Sequence, residues 1–372
     1  MKENIKIKSK FIKEKGFTLI EILVATAILV IFIVGALGLY IRSHKISIDQ
    51  QQLSQVQHDV RSAMFFIARD VRSAGVGLPI EFAGYFLEGL DNESQGGDVA
   101  PDRLKIMGNL EDPINLRITD YGAGEGGGAA NVPLEDFSFE QYPYPDDYYA
   151  GRIVLIMTNT QSGCPLAGEV RQITHVTHNP LGTNEKLNFS PGLAPGINPP
   201  GGLNPEGIDN NCFDGGTIVF INVKEYWLDI TGNYPGLTPG QNGYIGNGEG
   251  GILYLTENGI HYPLAQNIEN LQFQYNGDWN DDGILDGFTD WQSSWSIEDV
   301  AKIRQVRIWI LGQTERPFIG VSGTPPEGMP LLYQRPPIAN SPGAQTPDRH
   351  RRFLLETTVN IRNLSLEIYN QT

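Results

Sequence analysis

The chain has 372 residues, 40% of them hydrophobic, and a formal net charge of −16. That length and apolar content allow a sizeable buried core and exclude a disordered protein. The acidic balance argues against nucleic acid as a partner, because binding a phosphate backbone takes clustered Lys and Arg to replace its counterions.

Residues 1–16 hold six lysines against two glutamates, and behind them Ile22–Ile41 runs for twenty residues without a charge. Such a run is about what an α-helix needs to cross a hydrocarbon core of ~30 Å. The positive-inside bias keeps the lysine-rich end in the cytoplasm, so everything after Ile41 lies outside the inner membrane, a single pass with its head in the periplasm. A secretory signal peptide is the competing reading. It has a shorter apolar region and a small-residue exit, whereas this run continues into an amphipathic helix.

Glu21 stands at the entry of the span, where an ionised carboxylate is costly without a partner. A cut between Gly16 and Phe17 supplies one, because it frees an α-amino cation about one helical turn from Glu21 of the same or a neighbouring chain. The plainer alternative is a carboxylate snorkelling at headgroup level.

The stretch Lys15-Gly16-Phe17-Thr18-Leu19-Ile20-Glu21, followed by the apolar run, resembles the class III signal of type IV prepilins and of type II secretion pseudopilins. The resemblance implies that a prepilin peptidase cuts after Gly16 on the cytoplasmic side and methylates Phe17, and that Glu21, fifth in the mature chain, guides subunit docking. One departure is Gly38, at the mature position where major pilins usually carry a helix-kinking proline. Gly35 and Gly38 still permit local unwinding.

Past the membrane, Leu53, Val56, Val60, Ala63, Met64, Ile67, Val71 and Ala74 recur at steps of three or four with polar residues between them, which predicts one apolar face on a solvated helix. Gly75, Gly77 and Pro79 end it. The expected division is a leader at 1–16, a transmembrane half-helix at 17–42, an amphipathic half at 43–78 and a head at 79–372. Phe65–Gly75 resembles the helix end of PilW-type minor pilins. Arg69 and Asp70 read as solvated, structural helix charges.

After residue 80 the pattern turns to strands. Runs rich in β-branched and aromatic residues are expected at Arg152–Met157, Val170–Val176, Thr217–Val223, Gly251–Thr256, Leu271–Tyr275, Ile303–Leu311 and Phe353–Arg362, separated by Gly, Pro, Asn and Asp. Asn258-Gly259 predicts a hairpin between Ile252–Thr256 and Ile260–Leu264. The closing strands, Glu356–Asn363 above all, also resemble PilW-type and J-type pseudopilin domains, while residues 80–216 do so poorly. Tyr121–Ala130, Ser190–Gly207 and Gly320–Pro347 are Gly- or Pro-dense and read as surface loops.

Cys164 and Cys212 are too far apart for CxxC redox chemistry and lack the partners of a structural zinc site. They are either two unrelated buried thiols or a disulfide, and the export implied by the N-terminus favours the disulfide. The run Gly124-Glu125-Gly126-Gly127-Gly128 has no P-loop lysine and opens no helix, so it reads as a loop rather than a phosphate cradle. His175 and His178 fall in a strand-like context that sets them on opposite faces, as surface histidines rather than shared metal ligands. Neither HExxH nor GxSxG occurs.

Asp278–Asp286 has the spacing of a calcium loop. Asp278, Asn280, Asp282 and Asp286 fall at positions one, three, five and nine, the Ile284 carbonyl at seven, and Gly283 at the sharp turn. Thr289 stands at position twelve, where a bidentate Glu is usual, and Asp290 is the candidate substitute. The competing reading is an acidic solvated turn.

The expectation is therefore an α+β, type IV pilin-like fold, with a long N-terminal helical spine packed on a β-rich head. The resemblance implies a non-enzymatic minor pilin that initiates pilus assembly, at the pilus tip. Its implied partners are other minor and major pilins, prepilin peptidase, the assembly platform and a tip adhesin. A J-type pseudopilin of type II secretion is the alternative, and a membrane-tethered periplasmic hydrolase the remote one.

Overall fold

The computed structural model describes residues 17–78, 80–91, 101–110, 114–119, 131–160, 163–166, 168–178, 181–190, 198, 210–229, 251–257, 260–317, 332–343 and 347–362. These fall into two units, divided within the first helix between Gln51 and Gln52.

The first unit contributes the start of helix α1 (Leu19–Arg72, 54 residues). Residues 17–48 are exposed all round, and this helix is long and apolar enough to cross a membrane. It runs through Gly35 and Gly38 without a break, so the local unwinding that those glycines permit is not adopted here.

In the second unit α1 becomes amphipathic. Val56, Val60, Ala63, Met64, Ile67 and Val71 are buried, and they join the main core with residues of the sheet. The helix stops at Arg72, and the Gly75 amide leaves the helical ladder to donate to the Met107 carbonyl at 2.8 Å.

The sheet is antiparallel throughout. Its main path runs β1 (Leu87–Leu90), β2 (Arg103–Gly108), β9 (Thr217–Asp229), β10 (Gly251–Glu257), β11 (Ile260–Gly277), β13 (Ile303–Gln313) and β14 (Arg352–Asn360). On its flanks, β3 (Asn115–Arg117) and β5 (Ile153–Met157) pair with β9, β6 (Gly168–Gln172) with β5, and β12 (Phe288–Thr289) with β11. A second, three-stranded sheet joins β4 (Asn131–Pro133), β8 (Lys186–Asn188) and β7 (His175–Thr177). Three short α-helices, α2 (Ser138–Gln141), α3 (Asp146–Tyr149) and α4 (Ile297–Ala301), and two 3-10 helices, Ile80–Tyr85 and Asn210–Phe213, are also present among the described residues.

Two cores lie on opposite faces of β5 and the first half of β9. Leu155, Val219 and Ile221 face the main core beneath α1, while Val154, Ile156, Ile218 and Phe220 face a second core with Tyr149, Leu187 and Phe213. That is why these strands read as continuous apolar runs without alternation, since both of their faces are buried.

Five sequence expectations change. Val170–Val176 is not one strand: β6 ends at Gln172 and β7 begins at His175, in different sheets, because Ile173 leaves the ladder to donate to the Arg152 carbonyl and fill the second core. Leu271–Tyr275 is the end of the 18-residue β11. That strand includes the expected Ile260–Leu264 partner, paired back on β10 from Glu257↔Ile260; the Asn258-Gly259 turn itself lies outside the described residues. The expected loop Gly320–Pro347 is no surface excursion in its described part, where Arg335, Ile338 and Ser341 are buried. Ser341 accepts from Asn270 of β11 at 2.9 Å and from Arg335 at 3.0 Å, so the segment closes over the sheet. Likewise Asn198, within the expected loop Ser190–Gly207, is buried and holds both backbone groups of Gln172, donating at 2.7 Å and accepting at 2.8 Å.

The fifth correction is Asp70, which is not solvated. It is 3% exposed, lies on the buried stripe one turn after Ile67, and meets polar groups from β9. The Tyr226 hydroxyl donates to it, Lys224 Nζ stands 3.5 Å away, and Arg69 Nε donates at 2.7 Å. A buried carboxylate persists only with such partners.

Candidate functional site

At the start of α1, Thr18 and Glu21 bond reciprocally. Glu21 Oε2 accepts from the Thr18 amide and from the Thr18 hydroxyl, each at 2.8 Å, and the Glu21 amide donates to Thr18 Oγ1 at a longer 3.4 Å. This is a capping box, which satisfies amides that the first helical turn leaves unpaired. The sequence reading sought the partner of Glu21 only in an amine released at Phe17; the Thr-x-x-Glu spacing already marked a nearer one. Phe17 is exposed, as are Ile20, Ile22 and Val24, so Phe17 and Glu21 sit on an apolar surface open to lipid or to neighbouring helices. Gly16 lies outside the described residues.

In the head, Cys164 and Cys212 form a disulfide with Cα atoms 5.6 Å apart. It ties the segment after β5 to the turn before β9, where the Asn159 amide donates to the Cys212 carbonyl at 2.7 Å.

The acidic loop after β11 folds on its own side chains. Asp278 accepts from the Asp282 amide at 3.0 Å and the Gly283 amide at 2.8 Å, and Asp282 Oδ1 accepts from the Ile284 amide at 2.8 Å. Gly283 takes a φ of +83°, which supplies the sharp turn. The Asn280 amino group stands between the Asp282 and Asp286 carboxylates, 3.2 Å from each. Asp290 is held elsewhere, accepting from Gln274 of β11 at 2.9 Å. Asp281 points to Lys302, 2.7 Å away. The loop thus brings Asp278, Asn280, Asp282 and Asp286 together and leaves Asp290 on the sheet. Trp279 stacks on Trp295 at 4.8 Å, and Trp295 meets Trp291 at 5.1 Å, so the loop is flanked by an aromatic cluster.

His175 is exposed on β7, while His178 lies just past the strand and turns toward Asp146 and Glu185. That second histidine has carboxylate neighbours which no sequence spacing announced.

A search of curated proteins and a search of solved structures each return no match. Residues 12–37, in contrast, match the family described as the prokaryotic N-terminal methylation motif. The match covers the Gly16-Phe17 junction, Glu21 and most of the apolar run, the features that the leader reading rests on. The methylation motif, with the membrane-length helix and the β-rich head behind it, supports a type IV pilin-like prepilin.

Proposed function

We propose that this chain is a minor pilin that takes part in initiating a type IV pilus, within a tip-located complex. The observation that carries the reading is the methylation motif at residues 12–37 set before a membrane-length helix. On this reading prepilin peptidase cuts after Gly16 and methylates Phe17, the head stands in the periplasm, and α1 enters a bundle of neighbouring pilin helices. Glu21 then exchanges or shares its cap with the amine of a docking subunit, since an intramembrane carboxylate lowers its cost by finding a cation. Other minor and major pilins, the assembly platform and a tip adhesin are the partners; the role is assembly rather than catalysis.

The PilW-type resemblance of Phe65–Gly75 favours the pilus over secretion. The closing strands, which resemble J-type pseudopilins equally, keep a type II secretion pseudopilin as the second reading. The Asp278–Asp286 loop belongs to the proposal as a Ca²⁺ site formed by Asp278, Asn280, Asp282, Asp286 and the Ile284 carbonyl. Its support is that a neutral group, the Asn280 side-chain amide, rather than a cation bridges the Asp282 and Asp286 carboxylates. A deletion strain tests the function: loss of surface pili with secretion intact supports the minor pilin, and loss of secretion with pili intact supports the pseudopilin.

A further inference from the structure

We propose that Glu140, His178 and Glu185 form a binding site for a divalent transition-metal ion, zinc by its donor set, on the second lobe of the head. The site is separate from the acidic loop and does not depend on the pilus reading.

Three chain segments meet there. Glu140 comes from α2, His178 follows β7 directly, and Glu185 directly precedes β8. The pairing of Thr177 with Lys186 sets His178 and Glu185 at the same end of the β7–β8 ladder. One ligand atom from each of the three residues lies within 4.8 Å of the other two.

Glu185 points to a ligand. It is 0% exposed, and only one of its oxygens is bonded: Oε2 accepts from the Phe139 amide at 3.0 Å, while Oε1 has no hydrogen-bond partner. A buried carboxylate oxygen left in that state costs free energy and asks for an explanation. Oε1 faces His178 Nε2 across 3.7 Å, too far for a hydrogen bond. Two ligands on a four-coordinate zinc ion, each ~2.0–2.1 Å from the metal, stand about 3.3 Å apart, so a small contraction would seat one ion between them.

The histidine is set for coordination. Its Nδ1 lies 3.5 Å from Asp146 Oδ1, so a slight approach would give the carboxylate–histidine hydrogen bond that holds the other nitrogen toward a metal. Phe139 packs on the ring with centroids 5.3 Å apart. Glu140 is exposed and stands on the solvent side of the site, where a water can serve as a further ligand. Gly182 holds a φ of +71°, and a Cβ there would meet the Phe137 ring at 2.3 Å before it met Glu140 Oε1 at 3.0 Å. One imidazole with two carboxylates is a set that zinc and its neighbours in the transition series accept, whereas calcium and magnesium take oxygen alone.

The test uses the full-length, untagged chain in detergent, stripped with a chelator and held in excess Ca²⁺ so that the acidic loop is occupied. Co²⁺ is titrated and followed by visible absorption, then displaced with Zn²⁺. The expected result is a single saturable Co²⁺ with d–d bands, bleached by an equivalent of Zn²⁺. His178→Ala loses the bands and His175→Ala keeps them. Asp146→Asn weakens Zn²⁺ binding on the order of 10–100-fold. Glu140→Gln alters an exposed side chain and spares the fold, so it isolates ligation from stability; it should weaken Zn²⁺ on the order of tenfold or more. Absence of the Co²⁺ bands in the wild type, or bands unchanged in both His178→Ala and Glu140→Gln, overturns the site and leaves His178 and Glu185 as an ion pair.

Discussion

The Tyr226 hydroxyl donates to Asp70 Oδ2 at 2.7 Å across 156 residues of chain, and so joins the amphipathic half of α1 to the second half of β9. Burial, strengthened by the adjacent Asp70 charge, pushes that hydroxyl far above the ordinary tyrosine range, so it stays a donor at any physiological pH. Asp70→Ala removes the carboxylate that Tyr226, Arg69 and Lys224 share; Lys224, also buried, keeps Glu257 at 3.4 Å, so the loss should be about 3 kcal/mol. Tyr226→Phe removes one bond to a charged group and should cost about 1.5–3 kcal/mol. Urea unfolding of the full-length chain, followed by tryptophan fluorescence, measures both, and a wild-type midpoint for Asp70→Ala would deny the network any part in stability.

Much of this could be read from residue order. Asp70 falls three residues after Ile67 and four before Ala74, on the stripe that was correctly read as buried, so its burial was legible; its partners on β9 were not, because nothing local ties residue 70 to 224 or 226. The capping box at Thr18 and Glu21 was legible by spacing alone. The alternation of Arg103-Leu104-Lys105-Ile106, outward and inward by turns, also marked β2, which the strand expectations passed over. Glu140, His178 and Glu185 come from three elements in a region whose turns carry no shared period, and only the fold assembles them.

The leader should be absent from the mature chain. Mass analysis of the N-terminal peptide from membrane extracts is expected to begin at N-methylated Phe17 where prepilin peptidase is active. Gly16→Ala places a Cβ at the junction and should slow processing severalfold or block it; retention of residues 1–16 in wild-type cells defeats the prepilin reading.

Glu21→Ala should insert normally, because the span becomes more apolar, yet fail to enter assemblies. Loss of the capping box costs the helix start about 0.5–2 kcal/mol, too little to unfold a helix of 54 residues. Carbonate extraction checks insertion and sheared-pilus fractions check incorporation; normal incorporation removes Glu21 from the docking step.

Calcium should stabilise the head. At a free concentration a hundred times the dissociation constant the gain is about 2.7 kcal/mol, read as a higher melting midpoint in calcium than in chelator. Trp279 and its stacked neighbour Trp295 lie beside the loop, so their fluorescence should titrate with the ion. Asp278→Ala with Asp282→Ala should abolish both responses, and equal wild-type midpoints in the two buffers would discard the site.

Reducing the Cys164–Cys212 bond should destabilise the head. With a sequence separation of 48 between the cysteines, the loss of loop-closure entropy from the unfolded chain amounts to about 4 kcal/mol at most. Cys164→Ser with Cys212→Ser should match the reduced wild type in urea unfolding, and a double variant as stable as the oxidised chain would contradict it.

β9 serves both cores with one unbroken backbone of 13 residues, its first half between the two and its second half under α1. Among the described residues, β9 thus offers no joint at which the lobe bearing Glu185 can swing against the lobe bearing the helix. A load or a ligand taken up on one is passed along a single strand to the other, so the head should respond to tension as a solid body and yield only when the ladders flanking β9 shear.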